Sequence, residues 1–333
     1  MKISVILGHP NKGSLNHAIA DITVQTLQNN GYSVSFHDLY EEGFDPVLPC
    51  EKVMSGLIDL HVHTTASDGT MTPEQVVFHA AQCGLQAIAV TDHDTIDGVE
   101  EALAAGVKAG VEVVPGVEIS VDYMGEMHIL GYFIEPQNPE LQGGLAKLRH
   151  YRNERNPQII KKLRDLRFDI SIDEVSKAAN GNVIGRPHFA AVLKQKGYVR
   201  DFNQAFDWYL GEGRPAYVKK ERLTPRQGIE MIAAAGGIPV LAHPKYLKVN
   251  DSTGLEELIR ELKGYGLKGI EALYTTHSSG ETGKFCDLAL KCELLITGGS
   301  DFHGSNKPEI EIGRGEGGLT VQYELLERLK VKR

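Results

Sequence analysis

Two histidines, His61 and His63, stand one residue apart at the end of the apolar run 57–62. Side chains alternate along a strand, so the two imidazoles share a face. Two imidazoles on one face can ligate one metal ion. A single H-x-H is equally a pair of surface or core histidines, and its recurrence decides between the two. Asp68 follows in TASDGT, His93 in AIAVTDHDT, Glu118 in VVPGVEIS, His128 in EMHILGYF and His243 in PVLAHP. Asp301 and His303, again two residues apart, end LLITGGSDFHG. Six of the 13 histidines therefore sit at or beside the ends of predicted strands. Random scatter does not produce that. Imidazole and carboxylate donors together suit Mn, Fe or Zn.

The scaffold that must position these residues is readable in outline. The 333 residues predict two domains on a prior of roughly 150 residues each. Hydrophobic and charged fractions of 41% and 24% are ordinary for a globular chain and exclude a disordered one. No apolar run reaches the roughly 18–20 residues of a membrane span, and MKISVILGHPNKG lacks a cleavable export signal. The four cysteines are scattered without C-x-x-C spacing. A disulfide framework and a cysteine zinc site are not expected, and a reducing cytoplasm is.

Residues 1–50 read as one βαβ unit: the strand KISVILGH, a helix from Ser14 to Gln28 stopped by Asn29-Asn30-Gly31, and the strand YSVSFHDLY. The breaker run GFDPVLP follows. Seven strand-like runs come next, at 57–62, 86–91, 111–119, 127–134, 238–243, 268–274 and 294–300, mostly alternating with helices. Two helix starts, Thr72-Pro73-Glu74-Gln75 and Thr224-Pro225-Arg226-Gln227, place Thr at N-cap, Pro at N1 and Gln at N3. This alternation predicts a barrel-like α/β fold. Residues 136–222 read instead as short helices, at 140–151, 154–167, 172–179, 187–196 and 200–209, with no strand before RPAYV. The basic charge is concentrated there. Residues 140–222 carry 17 Lys and Arg against 10 Asp and Glu, a net +7, while the rest carries 18 against 34, a net −16. Such a segment is either a solvated helical face or a place to which a phosphate-rich ligand is steered.

The ordered set H-x-H, D, TDHDT, GxEIS, H-x-LGY, LAHP and SDFHG resembles the polymerase and histidinol phosphatase (PHP) superfamily over about residues 57–330. The stretch GRPHFA…FDWYLGEGRPAYV resembles the insert of its nucleotide phosphatase and exoribonuclease branch. The resemblance implies an α/β chain folded as a distorted seven-stranded (β/α)7 PHP barrel with a helical insertion domain. The expected domains are a βαβ fragment or extension at 1–53, the barrel at 54–135 and 223–333, and the basic insert at 136–222. It also implies three divalent ions (Mn, Fe or Zn, with Mn favoured). His61, His63, Glu118 and Asp301 would hold the first. Glu118 would bridge to a second, held with His128 and His243. Asp68, His93 and His303 would hold the third. Metal-bound hydroxide would then attack the phosphorus. The implied substrates are nucleoside 3′,5′-bisphosphates, 5′-AMP or the 5′ end of short RNA, with no duplex DNA and no membrane partner. The loop His9–Asn16 resembles the phosphate loop of flavodoxin-like NAD(P)H-quinone oxidoreductases, but the later βα units are missing and no flavin is expected.

Neighbouring residues carry secondary expectations. Asp59 and Asp92 precede ligands and either orient imidazoles or cap strand ends. Asp94 reads as a helix N-cap ahead of Ile96. His79 and His150 read as surface residues, and His9, His17 and His37 as having no metal role. In the insert, Arg186 and His188 open a helix, where backbone N–H groups favour anions. Arg186, His188, Lys219 and His277 are the candidate substrate contacts, with an ion pair the alternative for Arg186. Phe189, Trp208 and Tyr209 either stack on a base or build the insert's core. Three rival functions share parts of this pattern: a histidinol-phosphate phosphatase, a non-catalytic PHP metal-binding module and a flavin-linked oxidoreductase.

Overall fold

Seven short apolar runs become seven hydrogen-bonded strands, adjacent in chain order: β3 Ile58–Val62, β4 Ala87–Val90, β5 Glu112–Val121, β6 Met127–Tyr132, β7 Ile238–Leu241, β8 Gly269–Tyr274 and β9 Leu295–Gly299. The computed structural model describes residues 2–8, 13–41, 56–179, 183–219, 221–249 and 251–333. The chain forms two units, Met1–Val53 and Met54–Arg333.

In the first unit, β1 (Lys2–Leu7) and β2 (Ser33–Asp38) pair in parallel and the helix Leu15–Asn29 connects them. The Ser14 hydroxyl caps that helix by accepting the His17 N–H. Residues 9–12 of the flavodoxin-like loop and the breaker run at 43–49 lie outside the described residues.

In the second unit, β3–β4–β5 and β7–β8–β9 are parallel, while β6 runs antiparallel to both neighbours. The ring nearly closes where Asp301 N–H donates to His61 O and His63 N–H to Phe302 O, each at 2.9 Å. This is the distorted seven-stranded barrel expected. Strands β3, β4, β6 and β7 are buried along their whole length, as strands covered on both faces must be. Both predicted capping boxes form, at Thr72 and Thr224.

The insert departs from expectation in two places. The helices predicted at 140–151 and 154–167 are one 27-residue helix, Pro139–Asp165, which runs through Pro157. Its buried stripe is Leu141, Leu145, Leu148, Arg152, Arg155, Asn156, Ile159, Ile160 and Leu163. Three polar residues interrupt the apolar period, and that interruption reads as a helix break. The first half of this helix packs in the barrel's core and the second half in the insert's own core with Phe189 and Leu193. The run RPAYV is a turn and an extended stretch, not a strand.

Backbone constraints gather at the mouth of the barrel. Asp94, His243 and Asp301 adopt positive φ (55°, 24° and 58°), a region non-glycine residues rarely occupy and one found at functional sites. Gly299 on β9 lies so close to β3 that an added Cβ would stand 2.3 Å from the Cβ of His61. Only glycine lets β9 approach there. Gly299→Ala is expected to cost about 1–3 kcal/mol by overpacking and to displace His61. A lower thermal midpoint together with reduced bound metal, read by plasma mass spectrometry, checks this.

Candidate metal centre

Strands β3, β4, β5, β6, β7 and β9 each deliver at least one of the nine ligand-type residues to the same end of the barrel, and Glu118 is their hub. Its Oε1 lies 2.8 Å from His128 Nδ1 and 3.0 Å from His243 Nε2. Its Oε2 lies 2.9 Å from His93 Nδ1 and 3.3 Å from both His61 Nε2 and His63 Nε2. Asp301 Oδ1 is 3.2 Å from His63 Nε2 and 3.5 Å from His61 Nε2. Asp68 Oδ1 is 3.3 Å from His303 Nε2. Donor atoms of three overlapping groups lie within 4.8 Å of one another: His61, His63 and Asp301; His93, Glu118 and His128; His63, Asp68, His93 and His303. His63 and His93 thus each face two groups, and His243 reaches the second through Glu118. This grouping differs in detail from the one implied by the resemblance.

The donor set fits divalent ions. His93 Nδ1 and Glu118 Oε2 stand 2.9 Å apart but not in hydrogen-bond geometry, so among the described residues they and His243 Nδ1 are buried without a hydrogen-bond partner. Orphaned buried polar atoms are rare and costly. His61 Nε2 and His63 Nε2 stand only 3.1 Å apart. Spacings near 3 Å are those of two donors sharing an ion at about 2.1 Å.

Supporting contacts aim the rings. Glu271 Oε1 lies 2.9 Å from His61 Nδ1, and its Oε2 accepts the His243 backbone N–H at 2.8 Å. His303 Nδ1 lies 2.8 Å from the Asp301 carbonyl, which turns Nε2 toward Asp68. Tyr274 O–H and Lys307 Nζ donate to Asp301 Oδ2 at 2.7 and 2.6 Å, leaving Oδ1 for the cluster. Sequence reasoning missed Glu271, Tyr274 and Lys307. Glu271 had a signal: a lone carboxylate inside the apolar run GIEALY, fully buried in the fold.

The aspartates beside the ligands act on backbone. Asp59 accepts N–H groups from His61, Ser300 and Gly313 at 3.2, 2.9 and 2.8 Å. It ties β3 to the chain after β9. Asp92 holds the 64–67 loop through Thr64 N–H and the Thr64 and Ser67 hydroxyls, at 2.8, 2.7 and 2.6 Å. Among the described residues neither hydrogen-bonds an imidazole, which favours the strand-end reading. Asp94 is no N-cap, because the next helix starts at Val99 with Gly98 before it. Its buried carboxylate instead accepts the Ser120 N–H at 2.9 Å and pairs with Arg152 of the insert.

The insert residues separate into two sets. Arg186 and Lys219 line a second cavity of about 760 Å³ with Arg222 and Lys248. It shares Glu126, Phe206 and Tyr246 with the cavity of about 480 Å³ over the metal-type cluster. Arg186 donates to Leu210 O at 3.2 Å and lies over the rings of Phe206 and Tyr217. Arg155 and Arg222 likewise donate to uncharged oxygens, those of Asn156, Ile184 and Val121. Burial and the charges of Arg152, Arg186 and Arg222 pull Arg155 down to about 9. By contrast, His188 is 4% exposed and its Nδ1 accepts the Gly185 N–H. His277 Nδ1 is bound to Ala272 O. Neither is among the residues that line the two cavities, and His277 Nε2 is buried without a hydrogen-bond partner among the described residues. Phe189 and Tyr209 belong to the insert's core, whereas Trp208 is 56% exposed. His150 is exposed, as expected, and His79 half-buried against Phe302.

Charge in the cluster is mutually compensated. Burial alone would lower His61, but Glu271, Glu118 and Asp301 outweigh it and hold the imidazole well above its usual value. His63 is likewise raised, against burial, to about 9 by Asp301 and Glu118. His303 falls to about 4 through burial and the charges of Lys307 and His63. Glu118 and Asp301 lie well below the carboxylate range because neighbouring cations overcome their burial.

Two expectations follow from this arrangement. A ligand imidazole must be neutral, so metal competes with protons on His61 and His63. Groups raised on folding stabilise the metal-free fold below the unfolded value of about 6.5, and that contribution fades as pH rises through the folded value. The metal-free protein should therefore lose thermal stability between pH 7 and pH 9.5, while metal affinity climbs over the same range. Scanning calorimetry of chelated and loaded protein measures both. Glu271→Gln leaves one acceptor where His61 and His243 each need one. Metal affinity is expected to drop about 10- to 100-fold, measured by competition with a chromogenic chelator.

Comparison with known proteins accords with this geometry. A 3′,5′-nucleoside bisphosphate phosphatase from Chromobacterium violaceum is 35% identical over 261 residues, 78% of this chain and 91% of the relative. A 5′-3′ exoribonuclease from Haemophilus influenzae is 36% identical over 253 residues, 75% of this chain and 91% of the relative. A crystal structure from Bifidobacterium adolescentis, described as a metal-dependent phosphoesterase, superposes with a TM-score of 0.74 at 28% identity, covering 83% of this chain and 96% of that one. The model of the PHP domain matches residues 59–265. With that match, and with relatives aligned over most of their own length, the chain belongs to the PHP domain family.

Proposed function

We propose that this protein hydrolyses phosphate from nucleotides, either nucleoside 3′,5′-bisphosphates or the 5′ ends of short RNA, with three divalent ions and manganese favoured. The observation that carries the reading is the juxtaposition of two cavities. One is walled by the imidazole and carboxylate cluster. The adjoining one holds Arg186 and Arg222, whose partners are uncharged oxygens. A monoester substrate needs the first cavity alone, whereas a substrate with a second phosphate also reaches the two arginines of the second, where Lys219 and Lys248 are paired with Asp122 and Glu212. The C. violaceum and H. influenzae relatives carry names for those two substrate types.

The ions, when bound, supply an acidified water and positive charge at the scissile phosphate. The chain's own residues do the rest. His61, His63, Asp68, His93, Glu118, His128, His243, Asp301 and His303 form the binding set. Glu271 fixes the His61 tautomer, and Arg186 offers a planar fork that grips a phosphate through two N–H groups. No helix among the described residues is long and apolar enough to cross a membrane. A cytoplasmic site of action is part of the proposal.

Phosphate release with Mn²⁺ across 5′-AMP, 3′,5′-bisphosphoadenosine, 5′-phosphorylated RNA and histidinol phosphate tests the reading. The bisphosphate or the RNA end should be turned over fastest. A faster rate on histidinol phosphate would replace this reading with the histidinol-phosphate one. Arg186→Ala should raise KM for the bisphosphate by about 10-fold or more, the size of one hydrogen bond to a charged group. KM for 5′-AMP should move far less, and equal effects on the two would remove Arg186 from the site.

A further inference from the structure

The cavity over the cluster has one feature that ligation does not use. Its wall carries the carboxylates of Asp68, Glu118, Glu126, Asp301, Glu309 and Glu316, and a single Lys or Arg among the described residues, Lys307. Lys307 reaches the cluster from a loop held rigidly in place. The turn Gly304–Asn306 is pinned to the 65–70 loop by Asn306 Nδ2 donating to Asp68 O at 2.8 Å and Ser305 N–H donating to Thr70 Oγ1 at 2.9 Å. Gly304 has φ +63°, and an added Cβ would stand 2.2 Å from Thr70 Oγ1. The loop is therefore built to place the residue that follows it.

We propose that Lys307 is a catalytic residue that binds a non-bridging oxygen of the scissile phosphate. The inference rests on the phosphoesterase reading above. An ammonium has three N–H donors, and Asp301 Oδ2 is the one hydrogen-bond acceptor found for Lys307 Nζ among the described residues. The remaining donors belong to a side chain that is 38% exposed, against 9% for Asp301. Holding Asp301 does not require Lys307, because the Tyr274 hydroxyl already donates to the same oxygen at 2.7 Å. What a lysine adds is a fixed positive charge on the open side of the ligand cluster. Phosphoryl transfer builds negative charge on the non-bridging oxygens, and a preorganised donor aimed there stabilises the transition state more than the ground state. An anion entering a wall otherwise rich in carboxylates meets this ammonium beside the ions.

Lys307→Met and Lys307→Gln are read side by side in the full-length, Mn²⁺-loaded protein, so that misfolding of one leaves the other. Three quantities are measured: bound metal, the affinity for inorganic phosphate by calorimetric titration, and kcat with 3′,5′-bisphosphoadenosine. The expected result is wild-type metal content, phosphate bound about 10-fold or more weakly, and kcat lowered by about 10- to 100-fold. Lys307→Arg should recover part of both losses. Unchanged phosphate affinity would overturn the proposal. Loss of metal in parallel with activity would also overturn it, by making Lys307 a brace for Asp301. If the wild type binds phosphate but releases none from any ester, the phosphoesterase reading fails instead.

Discussion

One buried carboxylate sets the terms for the barrel's mouth. Glu118 has essentially no exposure and faces five imidazoles, those of His61, His63, His93, His128 and His243. A lone carboxylate in such a place would take up a proton. It stays ionised because positive charge surrounds it, and the fold must therefore bring the ends of five strands, β3 to β7, within a few ångströms. Several local costs make sense as parts of that convergence. Gly299 gives up a side chain so that β9 can approach β3. Asp59 spends a buried carboxylate on three backbone N–H groups that join the same two strands. His243 and Asp301 adopt positive φ to turn their side chains back over the sheet.

The clustering of histidines and acids at one end of the barrel was legible in part because side chains alternate along a strand. Where His61 and His63 sit two apart in an apolar context, strand alternation puts them on one face; Asp301 and His303 lie past the end of β9, and the positive φ of Asp301 belongs to the fold. The seven strands followed from the same periodicity. Partners contributed by distant strands were not legible. Glu271 is 210 positions from His61 in the chain, and nothing local to either residue announces the contact. Lys307 was hidden differently. A lysine in a polar loop looks solvated, and only the folded turn shows that it points at Asp301. Asp94 misled because an aspartate before an apolar residue has the local pattern of a cap. Its φ of 55° and its pairing with Arg152 depend on the insert.

The same tertiary logic explains the insert. Its long helix looked broken because Arg152, Arg155 and Asn156 occupy the buried stripe. Those residues meet polar partners rather than a hydrocarbon core, Asp94 for Arg152 and the Ile184 carbonyl for Arg155 and Asn156. Arg152 reaches the aspartate next to His93, and Arg155 adds to the charge around Arg186. Chain segments far apart in sequence thus share one electrostatic neighbourhood. The basic excess of residues 140–222 is in part an interior property, not only a solvated face.

The helix Pro139–Asp165 has a wider consequence. Leu141, Leu145 and Leu148 belong to one core, and Ile159, Ile160 and Leu163 to another. One continuous helix is rooted in both, with Pro157 removing a helical hydrogen bond between them. Within Met54–Arg333, neither core can melt without fraying the element that completes the other. Cooperativity then extends across what would otherwise be two independently folding bodies. A ligand bound against Arg186 and Arg222 would, by linkage, stabilise the barrel as well.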